Sequence, residues 1–198
     1  MSNTADTKPQ NIGSEPVPGI VFENGSLVQD ENMIQEINKA VSAFQLAFSH
    51  RCQVIRFEYL GISTIGRTTS EQGKTVVSLN KPLFCNKSAS KDLRSLIQEQ
   101  YDKGYWTITR NPVAHAITHE LAHTVWMESG QREAEKAAKN SICNLFEIWK
   151  NDPDKTGYGQ RASVDVSEFW AEVCSRAILG ESDKYTRAVQ QIVKIYHL

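Results

Sequence analysis

Apolar positions in the first third of the chain change from helical spacing to strand spacing. Between residues 30 and 48 they recur every three or four residues, which predicts an amphipathic helix with Asp30 or Asn32 as its N-terminal cap. Between 52 and 61 apolar and polar residues alternate, which is typical of a half-buried strand. The pattern therefore predicts one helix followed by the first strand of a sheet.

Two further strands are predicted immediately after this one, within 62–69 and 73–84. Gly66 and Gly73 are the expected turn or bulge positions, because glycine adopts backbone conformations that other residues avoid. Strand-like spacing ends there. The sequence thus predicts a small sheet that is confined to the first half of the chain.

The remainder of the chain has helical spacing. Five further helices are predicted, over 88–104, 112–128, 131–149, 165–179 and 182–196. The segment 151–163 is a loop by composition. Residues 1–20 are polar and contain three prolines, so they are predicted to form a disordered leader before a single domain over 21–198. The fold class expected from this order is α+β, with a small mixed sheet and a helical C-terminal half.

Composition narrows the classes of function. The 198 residues are 40% hydrophobic and 23% charged with a net charge of −1, which gives no electrostatic reason to expect a nucleic acid or a membrane surface as partner. The N-terminus lacks the basic start and apolar core of a Sec-type signal peptide. Four scattered cysteines without a CxxC pair favour reduced thiols over two disulfides. We therefore expect a cytoplasmic protein, or one delivered without a Sec-type signal.

The helix predicted over 112–128 contains the sequence His-Glu-Leu-Ala-His at positions 119 to 123. Residues four apart share one face of a helix, so His119 and His123 can converge on a single ion. Glu120 is offset by one residue and lies beside that ion, where a general base can take a proton from metal-bound water. The HExxH pattern therefore predicts a catalytic zinc site with one ion per chain. A polar stripe on an ordinary helix is the alternative.

A third histidine, His115, lies on the same predicted helix, one turn before His119. It is two turns from His123, about 12 Å along the axis, so it cannot share an ion with both. We expect it to lie on the surface or to support a ligand from behind.

The remaining protein ligand must come from elsewhere, because a catalytic zinc usually has three. Trp126 and Ser129 stand where the metzincin pattern requires glycine and histidine, which excludes that family. Glu168 and Glu172 lie one turn apart on the helix predicted over 165–179, beside an apolar stripe. Carboxylates in that position are costly to bury unless they are paired or bind metal. Spacing alone does not decide which of the two is the ligand, and a partly exposed helix edge is the alternative.

The segments ITHELAHTV and GYG, followed by SEFWAEVCSRAI, resemble the catalytic domain of anthrax lethal factor and related zincins, including phage-encoded metallopeptidase-like domains. The resemblance covers roughly residues 105–195. It implies that Glu168 is the third zinc ligand, and that Glu172 is a carboxylate that supports the ligands from behind. It also implies that Tyr158, in a Tyr-Gly pair, assists the transition state, with a simple loop tyrosine as the alternative.

Together these features predict a zinc-dependent endopeptidase of gluzincin type. His119, His123 and Glu168 would hold the ion, and Glu120 would activate water. The substrate is expected to lie extended along an edge strand, for which 74–80 is the candidate. The alternative is a zincin-like module that binds zinc or a partner protein without cleaving it, as part of a phage or effector system. The sequence indicates no oligomeric state.

Overall fold

The computed structural model describes four stretches of the chain: residues 20–48, 52–107, 109–155 and 157–198. The leader predicted over 1–20 falls almost wholly outside the described residues. All four cysteines have free thiols. No helix of the described stretches is long and apolar enough to cross a membrane.

The described residues contain one mixed sheet of four strands. The strands are β1 (Val21–Glu23), β2 (Val54–Glu58), β3 (Gly66–Glu71) and β4 (Lys74–Asn80). Their spatial order is β1-β2-β4-β3, in which β2 pairs in parallel with β1 and β4, and β3 pairs antiparallel with β4. Gln72 and Gly73 form the β3–β4 turn with positive φ angles of 51° and 78°, which explains the glycine there. The strand β1 was not predicted from the sequence.

The prediction that residues 74–80 form an edge strand is wrong. This segment is β4, which lies between β2 and β3 and has a hydrogen-bonded neighbour on each side. Six of its seven residues are buried, as expected of a strand covered on both faces. The edge strand beside the histidine helix is β3, which packs against that helix.

Seven α-helices account for most of the described chain. They are α1 (Glu31–Phe48), α2 (Lys81–Phe84), α3 (Ala89–Asp102), α4 (Pro112–Glu128), α5 (Glu133–Lys150), α6 (Val166–Ile178) and α7 (Lys184–Tyr196). The six long helices match the predicted ones to within a few residues, and Asp30 caps α1 through hydrogen bonds from the backbone of Asn32 and Met33. The exception is α2, because the strand predicted to reach residue 84 ends at Asn80. The predicted α+β class is confirmed.

The histidine helix α4 is the centre of the core. It packs against α1, α6, β3 and β4, so nearly every side chain in its first three turns is buried. The contact with α6 includes a hydrogen bond from the Trp170 indole N–H to the Ala122 carbonyl oxygen, 2.9 Å long. Trp106 and Trp149 are also buried, and Trp126 is partly so, as expected of core aromatics. This packing fixes α4 and α6 side by side, with their polar side chains facing each other.

Candidate metal centre

The two histidines of the HExxH sequence face each other across one turn of α4. Their Nε2 atoms lie 3.2 Å apart because both rings lie on the same face of the helix, where His119 is buried and His123 is half-buried. The other ring nitrogen of His123, Nδ1, lies 3.1 Å from the Ser167 hydroxyl, which fixes the orientation of that ring. Two imidazole nitrogens at this distance can share one cation.

Helix α6 brings Glu168 to the same point. The Asp165 carboxylate caps α6 by accepting the backbone N–H groups of Ser167 and Glu168, so the first turn is held firmly. Glu168 Oε2 lies 3.2 Å from His119 Nε2, and Glu168 Oε1 lies 3.6 Å from His123 Nε2. The three side chains therefore present their donor atoms to one small volume.

The separations of these donor atoms fit a tetrahedral ion. Ligands bound at about 2.0–2.1 Å in tetrahedral geometry lie about 3.3 Å from one another. The shortest separations are 3.2 Å between the two Nε2 atoms, 3.2 Å from His119 Nε2 to Glu168 Oε2 and 3.6 Å from His123 Nε2 to Glu168 Oε1, so each imidazole is approached by a different oxygen of the carboxylate. Two imidazoles and a carboxylate are also the donor types that zinc prefers, so His119, His123 and Glu168 could hold such an ion.

Glu120 lies beside this donor set and does not belong to it. Its carboxylate is buried against β3, where the Thr68 hydroxyl lies 2.7 Å from the Glu120 carbonyl oxygen and 3.1 Å from Oε2. Burial raises the pKa of Glu120, although the Thr68 contact and nearby cations oppose this shift. A carboxylate whose pKa moves toward neutrality is suited to accept and release a proton at physiological pH.

Gly66 creates the space that Glu120 occupies. A Cβ atom built on Gly66 would lie 2.6 Å from Glu120 Cγ and 3.1 Å from Cδ, which is far inside van der Waals contact. The strand β3 can therefore approach α4 only because this position has no side chain. Glycine was expected at a turn or bulge here, whereas its role in the structure is close approach to the carboxylate.

Glu172 and His115 lie behind the donor set and are fully buried. Glu172 Oε1 lies 3.2 Å from His119 Nδ1, at an angle that makes a close ion pair without a well-aligned hydrogen bond. Glu172 Oε2 lies 2.9 Å from His115 Nε2 in a hydrogen bond. Burial acts to raise the pKa of Glu172, but the two histidines outweigh it and hold the pKa well below its usual range. The expected surface position of His115 is wrong, whereas a supporting position behind the ligands agrees with these contacts.

Charge is distributed unevenly among the facing side chains. Burial acts to lower the pKa of His119, but the charges of Glu172 and Glu168 outweigh burial and raise it to about 9. Burial and the charge on His119 lower the pKa of His123 to about 4. Burial acts to raise the pKa of Glu168, but His119 and Arg161 lower it to about 2. The set therefore contains ionised carboxylates and retains one proton on His119, which a metal ion would have to replace.

Arg161 is a site residue that the sequence analysis missed. It lies in a short 3-10 helix, Gln160–Ser163, immediately before α6. Its Nε–H group lies 2.8 Å from Glu168 Oε2 and 3.2 Å from His119 Nε2, and Nη2 lies 3.9 Å from Glu120 Oε1. The segment 151–163 has no periodicity, so its sequence carried no signal that would place this side chain.

Tyr158 contacts a different set of residues. Its hydroxyl donates a 2.8 Å hydrogen bond to Asp183, and its ring packs against Trp149, Tyr185 and the Arg176 guanidinium. Burial raises the pKa of the hydroxyl. The structure thus brings together His119, Glu120, His123 and Glu168, with Glu172 behind them, and it places Tyr158 in a separate aromatic cluster.

Two cavities adjoin each other here, and one of them is lined by candidate ligands. One of about 290 Å³ is lined by residues that include Glu120, His123, Glu168 and Arg161. The other, of about 550 Å³, extends toward Trp106 and also contacts Arg161. Gly66 and Arg161 line both cavities, so the two cavities meet at these residues.

Comparison of the chain with protein-family models, curated proteins and solved structures finds no match in any of the three. The function must therefore be argued from the site.

Proposed function

We propose that this protein is a zinc-dependent endopeptidase of gluzincin type that hydrolyses peptide bonds of a protein substrate. The observation that carries the proposal is the convergence of two imidazoles and a carboxylate at separations close to those around one tetrahedral ion, next to a buried carboxylate outside this set. His119, His123 and Glu168 would hold the zinc. When bound, zinc would polarise the substrate carbonyl and lower the pKa of water.

In this proposal Glu120 moves the proton. Its carboxylate accepts a proton from the attacking water, and later delivers that proton to the nitrogen of the leaving amine. Thr68 and Gly66 hold the carboxylate against β3, so it stays aimed at the substrate. The buried environment that raises its pKa suits both steps, because the group must be a base before bond formation and an acid afterwards.

Glu172 has a positioning role in the same proposal. A histidine that binds metal through Nε2 usually donates its Nδ1–H group to an acceptor behind it, which fixes the tautomer. Glu172 Oε1 faces His119 Nδ1 at 3.2 Å. This arrangement favours Glu168 as ligand and Glu172 as support, the order that the family resemblance implies.

The substrate strand is proposed to add to the edge strand β3. The outer edge of β3 has no strand partner among the described residues, and its Thr68 contacts Glu120 directly. An extended peptide that hydrogen-bonds to this edge would pass beside the base. Side chains on its two faces could enter the two cavities, which meet at Gly66 and Arg161.

The second candidate is a zincin-like module that binds zinc or a partner protein without turnover. The ion pair of Arg161 with Glu168 favours it, because a cation of the chain itself already stabilises that carboxylate. Burial of Glu120 argues against it, since an unused carboxylate would be costly to bury.

Cleavage of a proteome-derived peptide library, read by mass spectrometry of new termini, tests the proposal. We expect zinc-loaded wild-type protein to generate a recurrent cleavage sequence. Glu120→Gln should bind zinc equally and lose about 10²–10⁴-fold in rate. Glu133→Gln, the same change at an exposed position on α5, is the matched control. Equal cleavage by wild type and Glu120→Gln, or no cleavage by the zinc-loaded wild type, would contradict the proposal.

A further inference from the structure

We propose that Arg161 is a catalytic residue that binds the carbonyl oxygen of the scissile peptide bond and stabilises the negative charge that develops there. The inference rests on the proposed peptidase function. It assigns to a guanidinium the role that the family resemblance gives to Tyr158.

The backbone around Arg161 is firmly held. Its N–H group donates to the Tyr105 carbonyl oxygen at 3.1 Å. A Cβ atom on Gly159 would lie 2.3 Å from the same oxygen, so the turn packs directly on the preceding loop. The guanidinium lies over the Trp106 ring, 5.0 Å from its centroid. A charged group that is already oriented needs little reorganisation when charge appears beside it.

The Arg161 guanidinium has N–H donors that the described residues leave available for a substrate. An arginine carries five N–H donors, and Arg161 uses its Nε–H on the Glu168 carboxylate. Neither terminal NH₂ group makes a hydrogen bond to a described residue, and Nη2 lies 3.9 Å from Glu120 Oε1, beyond hydrogen-bond distance. The side chain is 23% exposed and lines both cavities. These donors therefore face the space where substrate would lie.

The place of these donors fits the chemistry of hydrolysis. As the water oxygen bonds to the carbonyl carbon, the π electrons of the C=O bond move onto the carbonyl oxygen, and the proton of water passes to Glu120. When the C–N bond breaks, those electrons re-form the C=O bond and the leaving nitrogen takes the proton. The charged oxygen exists only between these events, next to the ligands and the base, and Arg161 extends from Glu168 toward Glu120. Its interaction is strongest in that interval, which is what accelerates a reaction.

The Tyr158 hydroxyl, by contrast, is already occupied. It donates to Asp183, which also forms an ion pair with Arg176. Using it on the substrate would break a partly buried contact between the aromatic cluster and α7, whereas Arg161 would give up no hydrogen bond.

The test uses inorganic phosphate, a tetrahedral oxyanion, and full-length protein loaded with cobalt(II), whose visible absorption reports both metal uptake and anion binding. Phosphate affinity is measured for wild type, Arg161→Met, Arg161→Lys and Tyr158→Phe. Arg94→Met is the matched control, because it removes an equal charge at an exposed position of α3, where Arg94 pairs with Glu36 of α1. Cobalt stoichiometry is determined first for each variant.

We expect Arg161→Met to take up one cobalt and to bind phosphate about 10- to 100-fold more weakly than wild type. Arg161→Lys should recover part of the loss, while Tyr158→Phe and Arg94→Met should bind phosphate like wild type. Where a cleaved peptide is known, Arg161→Met should lower kcat by about 10²–10³-fold.

Three results would overturn the inference without affecting the proposed function. The cobalt-loaded wild type could bind no phosphate, or Arg161→Met could bind phosphate as tightly as the wild type. Failure of both Arg161 variants to load metal would make Arg161 a positioning residue for Glu168. Failure of the wild type itself to take up cobalt would instead contradict the proposed function. An adventitious ion only, bound equally by all variants, would also overturn the inference.

Discussion

Replacing Gly66 with alanine should displace the proposed general base without removing the metal ligands. The added methyl carbon would lie 2.6 Å from Glu120 Cγ, whereas unstrained carbon atoms lie about 3.5–4.0 Å apart. The carboxylate or the strand must therefore move by about 1 Å. The φ of Gly66 lies outside the left-handed region, so alanine adds no backbone strain of its own.

A displacement of this size should lower the reaction rate strongly while the protein still folds. Misplacement of a reacting group by about 1 Å can lower the rate by about 10²-fold. Glu120 is buried against Thr68 and cannot move aside freely, and movement of the edge strand β3 would carry Thr68 away from it. We therefore expect Gly66→Ala to lose about 10²-fold in peptide cleavage, with a destabilisation typical of overpacking, about 1–3 kcal/mol.

The assay is the initial rate of cleavage of a peptide identified with wild-type protein, at equal zinc occupancy and equal folded fraction. Thr69→Ala, at a half-buried position on the opposite face of β3 from Gly66 and Thr68, controls for changes to the strand itself. Gly66→Ala that binds zinc and cleaves within threefold of the wild-type rate would refute the placement of Glu120 as base.

Three further predictions concern the ligands. Glu168→Ala should cost far more zinc affinity than Glu172→Ala, which should weaken binding about 10–100-fold in a chelator competition; the reverse order would exchange their roles. His115→Leu should also weaken zinc binding about 10-fold, because Glu172 then loses its 2.9 Å partner, and an unchanged affinity would show that His115 only fills space. Since the pKa of His119 is raised to about 9 in the metal-free protein, it holds a proton at pH 7 that zinc must displace. Apparent zinc affinity should therefore rise about tenfold per pH unit from 7 to 9, with one proton released per zinc in calorimetry; a flat profile would contradict the assignment.

Local features of the site could be predicted from the sequence because they depend on one helix. His119 and His123 are one turn apart on α4, so their convergence follows from helix geometry alone. Glu168 and Glu172 likewise lie one turn apart on a single helix, α6. Which of them faces the Nε2 atoms of His119 and His123 depends on how α6 packs on α4, and the choice of Glu168 came from the family resemblance rather than from spacing.

Features that depend on distant pairing could not be predicted in the same way. The order of β3 and β4 is set by parallel pairing of β2 with β4, which no local pattern encodes. The segment 74–80 contains only three apolar residues, Val76, Val77 and Leu79, so it carried little signal of an interior strand. His115 carried little signal of burial, because it shares a polar stripe of α4 with His119 and His123. Arg161 carried none, since a loop has no periodicity.

The zinc content of the purified protein tests the central claim most directly. Elemental analysis combined with native mass spectrometry should find about one zinc per chain in the wild type, because His119, His123 and Glu168 form one donor set. A double variant, His119→Ala with His123→Ala, should contain none at equal folded fraction. Wild-type protein that contains no zinc and takes up none on addition would contradict the metal centre and, with it, the proposed peptidase.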